Sequence, residues 1–197
     1  SRRGLLRPRF RRAYGMAMPV APEYYTAEMV RALPEDGNRY EVVWGELLVS
    51  PSPRQVHQRI VFRLARAVAD YCDAHGLGES MISPADISWS ADTLVQPDVF
   101  VIAPEESGGD DWRRVRTLRL VIEVLSPSTA RHDRFQKRKL YQASGVGTLW
   151  LVDVEREIVE VWTPDATFPS VETVRVSWHP SGATVPFSVE LAEIFAS

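Results

Sequence analysis

Apolar residues recur every four positions at Val56, Ile60, Leu64, Val68 and Cys72, and Val61 and Ala65 widen the stripe. That period predicts an amphipathic helix with one face on a core. Ser52-Pro53-Arg54-Gln55 supplies a capping serine, a proline at the first helical position and a glutamine three residues after the cap; His75-Gly76 ends the helix. Upstream, RYEVVWGELLVSPSP reads as a two-strand hairpin turning at Trp44-Gly45, and Tyr24 to Leu33 as a short helix stopped by PEDGN.

Beyond that helix, Ala85 to Trp89 reads as a short strand, while Leu94 to Ile102, Leu118 to Leu125 and Thr148 to Val152 are rich in Val, Ile and Leu. STARHDRFQKRKLYQASG, between the last two, is a helix of about four turns closed by Gly145. Strand, helix, strand implies a right-handed crossover with the two strands parallel. Glu157 to Trp162 and Thr173 to Trp178 read as further strands in antiparallel ribbons, and Val189 to Phe195 as a short last helix. The class is α/β, or α+β, with a mixed central sheet flanked by helices and added antiparallel hairpins.

Length and composition place this in one domain: 197 residues, 45% hydrophobic and 25% charged, with no repeat or linker. The domain is expected over residues 19–197, after a disordered basic tail over 1–18. Arg2, Arg3, Arg7, Arg9, Arg11 and Arg12 stand in that tail without an acid, leaving 17 basic against 26 acidic residues in the body. The tail reads as upstream sequence, with Met16 and Met18 available as starts, or as an arginine arm for nucleic-acid phosphates. No apolar run approaches a membrane span, so a cytoplasmic protein with no membrane partner is expected. Cys72 has no disulfide partner and reads as a small buried apolar residue.

The candidate chemistry begins in LVIEVLSPS, where Glu123 interrupts an apolar strand. An unpaired buried charge costs several kcal/mol or more, so something must compensate it. Asp98 sits in a second apolar strand, VQPDVFVIA, across the polar loop PEESGGDDWRR. If the two strands are neighbours in register, the acids face each other with Cβ atoms about 4.5–5.5 Å apart. Alternation puts Gln96 on the face of Asp98, and Pro97 suggests an edge or bulge there. Taken singly, Asp98 could cap a strand start and Glu123 could pair with an arginine such as Arg119. Taken together with a lysine-bearing helix, the two acids suit a divalent ion and phosphodiester hydrolysis.

GNRYEVVWGELLVSPSP, the helix opening near His57, QPDVFV, LVIEVLSPST, Asp133 with Lys137 and Tyr141 in HDRFQKRKLYQASGV, and TLWLVD together resemble the Uma family, described as restriction endonucleases. The likeness runs from about Leu33 to Trp162, with a weaker match near VELAEIF. It implies membership of the PD-(D/E)XK nuclease superfamily: a mixed sheet flanked by helices, Mg²⁺ or Mn²⁺ held by Asp98 and Glu123, and DNA as substrate. That superfamily places lysine two residues after the second acid, where this chain has Leu125. The resemblance implies that Lys137 on the following helix supplies the function, and four-residue spacing sets Asp133, Lys137 and Tyr141 on one helical face, away from Lys139. His57 and Glu46 are supporting candidates. A twofold homodimer is expected for cutting both strands. The alternative is an inactive nuclease-fold module for protein or nucleic-acid interaction.

Overall fold

The computed structural model describes residues 23–196, so the expected basic tail lies outside the described residues. A short helix α1 (Ala27–Arg31) is capped by the Thr26 hydroxyl and leads to the hairpin β1 (Arg39–Val43) and β2 (Glu46–Ser50). The long helix α2 (Gln55–His75) follows, ended by Gly76 in the left-handed conformation. Next come β3 (Glu79–Ile82), β4 (Val99–Ile102) and β5 (Leu118–Leu125). The crossover contains α3 (Ala130–His132), a π-helical turn (Asp133–Lys137) and α4 (Arg138–Ala143) in unbroken succession. The chain closes with β6 (Leu149–Asp153), β7 (Ile158–Trp162), β8 (Ser170–Glu172), β9 (Arg175–Trp178), β10 (Phe187–Glu190) and α5 (Leu191–Phe195).

Strands β3 to β8 form one six-stranded sheet in chain order, with β5 and β6 parallel and every other pair antiparallel. Pairs β1–β2 and β9–β10 are separate antiparallel ribbons. Alternation divides the sheet's side chains between two cores. Val99, Val101, Leu120, Ile122, Val124, Trp150 and Val152 pack with α2, the β9–β10 ribbon and α5. Phe100, Ile102, Val121, Leu125, Leu149 and Leu151 face the β1–β2 hairpin and the crossover helix, through Val43, Leu48, Leu140 and Tyr141. Asp98 and Glu123 have the parity of this second face.

The structure revises several expectations. Ser52 does not cap α2: the N-cap is Arg54, which no side-chain hydrogen bond assists, and Ser52 Oγ donates instead to Gly37 O at 2.8 Å. Its position before Pro53 disfavours helical geometry, which delays the start. Val56 is 42% exposed because the first turn runs beyond the cluster burying Ile60, Leu64, Val68 and Cys72. Ala85 to Trp89 is no strand and contributes one bridge, Ile87 to Val95. Regular pairing from Leu94 is delayed to Val99, since Pro97 has no N–H for the ladder. Strands β3, β8 and β10 were not anticipated, each being too short to display a period.

Gly78, with φ of +112°, joins α2 to β3, and a Cβ there would lie 2.0 Å from the Ile102 carbonyl oxygen. At Gly76, with φ of +62°, a Cβ would meet nothing within 4 Å. Gly76→Ala is therefore expected to cost about 1 kcal/mol for its backbone alone, and Gly78→Ala roughly 1–3 kcal/mol beyond that from steric conflict. Urea unfolding of the two variants should give this order.

Candidate active site

The β4–β5 register pairs Val99 with Ile122, and one further step sets Asp98 opposite Glu123 on the same face. Both are buried, at 3% and 2% exposure. The Asp98 carboxylate is held on both oxygens: Arg39 donates to Oδ1 at 3.0 Å, while Oδ2 accepts from the Val124 N–H at 2.9 Å and meets His57 Nε2 at 3.1 Å. Arg119 does not pair with Glu123. It donates to the carbonyls of Leu77 and Ser181.

Across the face, the crossover helix brings its charged side to Glu123. Lys137 Nζ lies 2.7 Å from Glu123 Oε1, 2.9 Å from Glu41 Oε1 and 3.6 Å from Asp133 Oδ1, and is itself 2% exposed. Tyr141 donates its hydroxyl to Glu123 Oε1. An α-helix drifts about 40° in every four residues; the π-helical turn from Asp133 to Lys137 is wound less tightly and takes back part of that drift, so all three side chains keep one aspect. Lys137 and Lys139 are the only lysines in the sequence, and Lys139 is exposed.

The remaining candidates separate. Glu46 is exposed at the start of β2, paired with Val43. The acid that the hairpin delivers is Glu41, which is buried. Gln96 serves through its backbone, whose N–H donates to Glu41 Oε1 at 2.7 Å, while its side chain turns to Asp86 at 3.1 Å. Sequence reasoning missed Glu41 and Arg39. The signal was present for Glu41, since RYEVV encloses an acid among apolar residues as LVIEVL does.

Electrostatics follows from this crowding. Burial pushes the Glu123 carboxyl up to about 8; Lys137 opposes the shift, and Asp98, Asp133 and Glu41 reinforce it. Burial also works to raise Asp98, but His57, Arg39 and Lys137 outweigh it and hold the group at about 2. Burial disfavours the Lys137 ammonium, yet Glu123, Glu41 and Asp133 together hold its pKa well above the ordinary value. Four buried carboxyl groups thus share Lys137, the partly buried Arg39 and His57. Among the described residues, no three His, Cys, Asp or Glu side chains are grouped to hold an ion by themselves. Asp98 and Glu123 nevertheless fit a hard divalent cation in donor type and in the surplus of carboxyl groups around them, because such ions are commonly held by one or two carboxylates with substrate oxygens and water completing the shell.

Residues 26–192 match the family model Uma2, described as "Putative restriction endonuclease". The chain belongs to the Uma2 family. A comparison with curated proteins gives no match. The fold is similar to the crystal structure of a "putative nuclease belonging to DUF820" from Anabaena variabilis, at 19% identity and a TM-score of 0.71, covering 87% of this chain and 98% of that one. At that identity the likeness shows the fold, and the family match adds a nuclease-like assignment. No described helix is long and apolar enough to cross a membrane.

A raised folded-state pKa means stability that is full below the unfolded value and is lost as pH rises toward the folded value. For Glu123 the window is about pH 4.5 to 8. Without divalent ions, thermal unfolding across this window should show stability falling with pH. Glu123→Gln should flatten that fall, leaving the parts due to Asp133, which burial raises, and to His57, whose pKa is also raised: burial lowers it, and Asp98 overrides the burial.

Proposed function

We propose that the chain is a metal-dependent endonuclease that hydrolyses DNA phosphodiester bonds at the Asp98–Glu123 pair. The observation carrying this reading is the placement of Lys137 Nζ 2.7 Å from Glu123, on the face that Asp98 shares through the β4–β5 register. Family membership supports a nucleic-acid substrate. Mg²⁺ or Mn²⁺, when bound, supplies Lewis acidity at the phosphoryl group.

The chain's own groups do the rest. Asp98 and Glu123 contribute oxygen ligands from a rigid sheet. Lys137 takes the place of the lysine missing at Leu125 and offers a compact cation to orient the attacking water or a phosphate oxygen. Tyr141 and Glu41 fix the positions of Glu123 and Lys137 through the contacts given above. A symmetric homodimer would present two such sites to the two strands of a duplex.

A second reading, a nuclease-fold module that binds without cutting, is favoured by one observation: Arg39, His57 and the Val124 N–H already engage both Asp98 oxygens. Plasmid cleavage with Mn²⁺ or Mg²⁺ decides between them. The nuclease reading expects ion-dependent nicking or cutting that Asp98→Asn and Glu123→Gln abolish; DNA retention without cleavage by the parent chain supports the module. Lys139→Ala should keep both activity and stability. Lys137→Ala should lose activity and also about 3–5 kcal/mol of stability, since it strands three buried acids.

A further inference from the structure

Two Ser-Pro-Ser segments, Ser50–Ser52 and Ser126–Ser128, face each other across a cleft of about 230 Å³ whose other lining residues include Arg39, Arg54, His57 and Thr129. One follows the hairpin that carries Glu41, and the other follows the strand that carries Glu123. Their prolines hold both walls in restricted conformations. Along one wall the Ser126 hydroxyl lies 3.0 Å from that of Ser128 and 3.1 Å from that of Thr129. At the floor the first turn of α2 opens with no side chain capping its N–H groups.

Two residues connect this cleft to the acids. Arg39 lines it and donates to Asp98 Oδ1, and His57 lines it while meeting Asp98 Oδ2. His57 Nδ1 is buried and makes no hydrogen bond. Arginine and hydroxyl groups beside an uncapped helix start are together the chemistry of an oxyanion site.

We infer that this cleft binds a phosphodiester of the nucleic acid next to the scissile one, and that Arg39 is shared between that phosphate and Asp98. The inference rests on the nuclease reading for the identity of its ligand, but its test does not require cleavage. An anion in the cleft draws the Arg39 guanidinium from Asp98 Oδ1 and frees that oxygen for a cation. By linkage, anion and divalent ion must then strengthen each other's binding by the same factor.

The test titrates the full chain by calorimetry at fixed ionic strength, with inorganic phosphate and with the dinucleotide thymidylyl-thymidine. Both should bind, the dinucleotide more tightly. Arg54→Gln and Ser128→Ala should each weaken binding several-fold, while Arg156→Gln, outside the cleft, should not. Saturating phosphate should tighten Mn²⁺ binding several-fold in the parent chain and leave it unchanged in Arg39→Gln. The inference is overturned if binding is indifferent to Arg54 and Ser128, if phosphate binds and the dinucleotide does not, or if Mn²⁺ affinity ignores the anion. Cleft binding by a chain that never cleaves DNA would remove the nuclease reading and keep the phosphate site; Asp98-dependent cleavage with an indifferent cleft would do the reverse.

Discussion

The Lys137 ammonium is the point on which three separate pieces of the chain converge: Glu41 from the hairpin, Glu123 from the central sheet, and Asp133 from its own helix. A buried ion pair repays its desolvation only when further partners complete the geometry. Here the ammonium lies 2.7 Å from Glu123, 2.9 Å from Glu41 and 3.6 Å from Asp133, and Tyr141 and the Gln96 N–H take up further acceptor positions on Glu123 and Glu41. The charge arrangement therefore fixes how hairpin, sheet and crossover helix sit against one another, in a layer that Val43, Leu140 and Leu149 otherwise fill with apolar contacts.

This layer is not built for maximum stability. Four acids share one fully buried lysine, one partly buried arginine and His57, a surplus of carboxyl groups that pushes Glu123 up to about 8 and that a core of hydrophobic residues would avoid. Such surpluses mark functional positions, where the group's chemistry is retained at a cost to the fold. The π-helical turn serves the same arrangement: it spoils regular α-helical winding and keeps Asp133, Lys137 and Tyr141 on one side, where Lys137 and Tyr141 reach Glu123 and Asp133 lies beside Lys137. That the chain's only two lysines fall in this helix, one buried and one in solvent, separates the compact cation of the site from an ordinary surface charge.

Much of this was legible in sequence because burial and charge conflict visibly there. LVIEVL and QPDVFV each isolate an acid within an apolar strand, and the intervening loop permits their pairing; the register Val99 to Ile122 realises it. The crossover and its parallel strands followed from element order alone. Glu41 and Glu46 lie on the same face of the hairpin, through the pairs Glu41–Leu48 and Val43–Glu46, so alternation does not separate them; Glu46 sits exposed beside the turn, and burial under the rest of the fold singles out Glu41. Arg39 left no such signal: an arginine at a strand start is usually solvated, and its reach to Asp98 depends on the hairpin's placement over the sheet, which no local pattern encodes. The short strands β3, β8 and β10 exist through pairing with neighbours rather than through their own propensities.

The central claim is that Asp98 and Glu123 together hold a divalent ion beside Lys137. The most direct measurement is a Mn²⁺ titration of the full chain by isothermal calorimetry, beside Asp98→Asn and Glu123→Gln. The account predicts one ion per chain, with binding lost or weakened at least tenfold in each variant. Equal Mn²⁺ binding by the parent and both variants would contradict it.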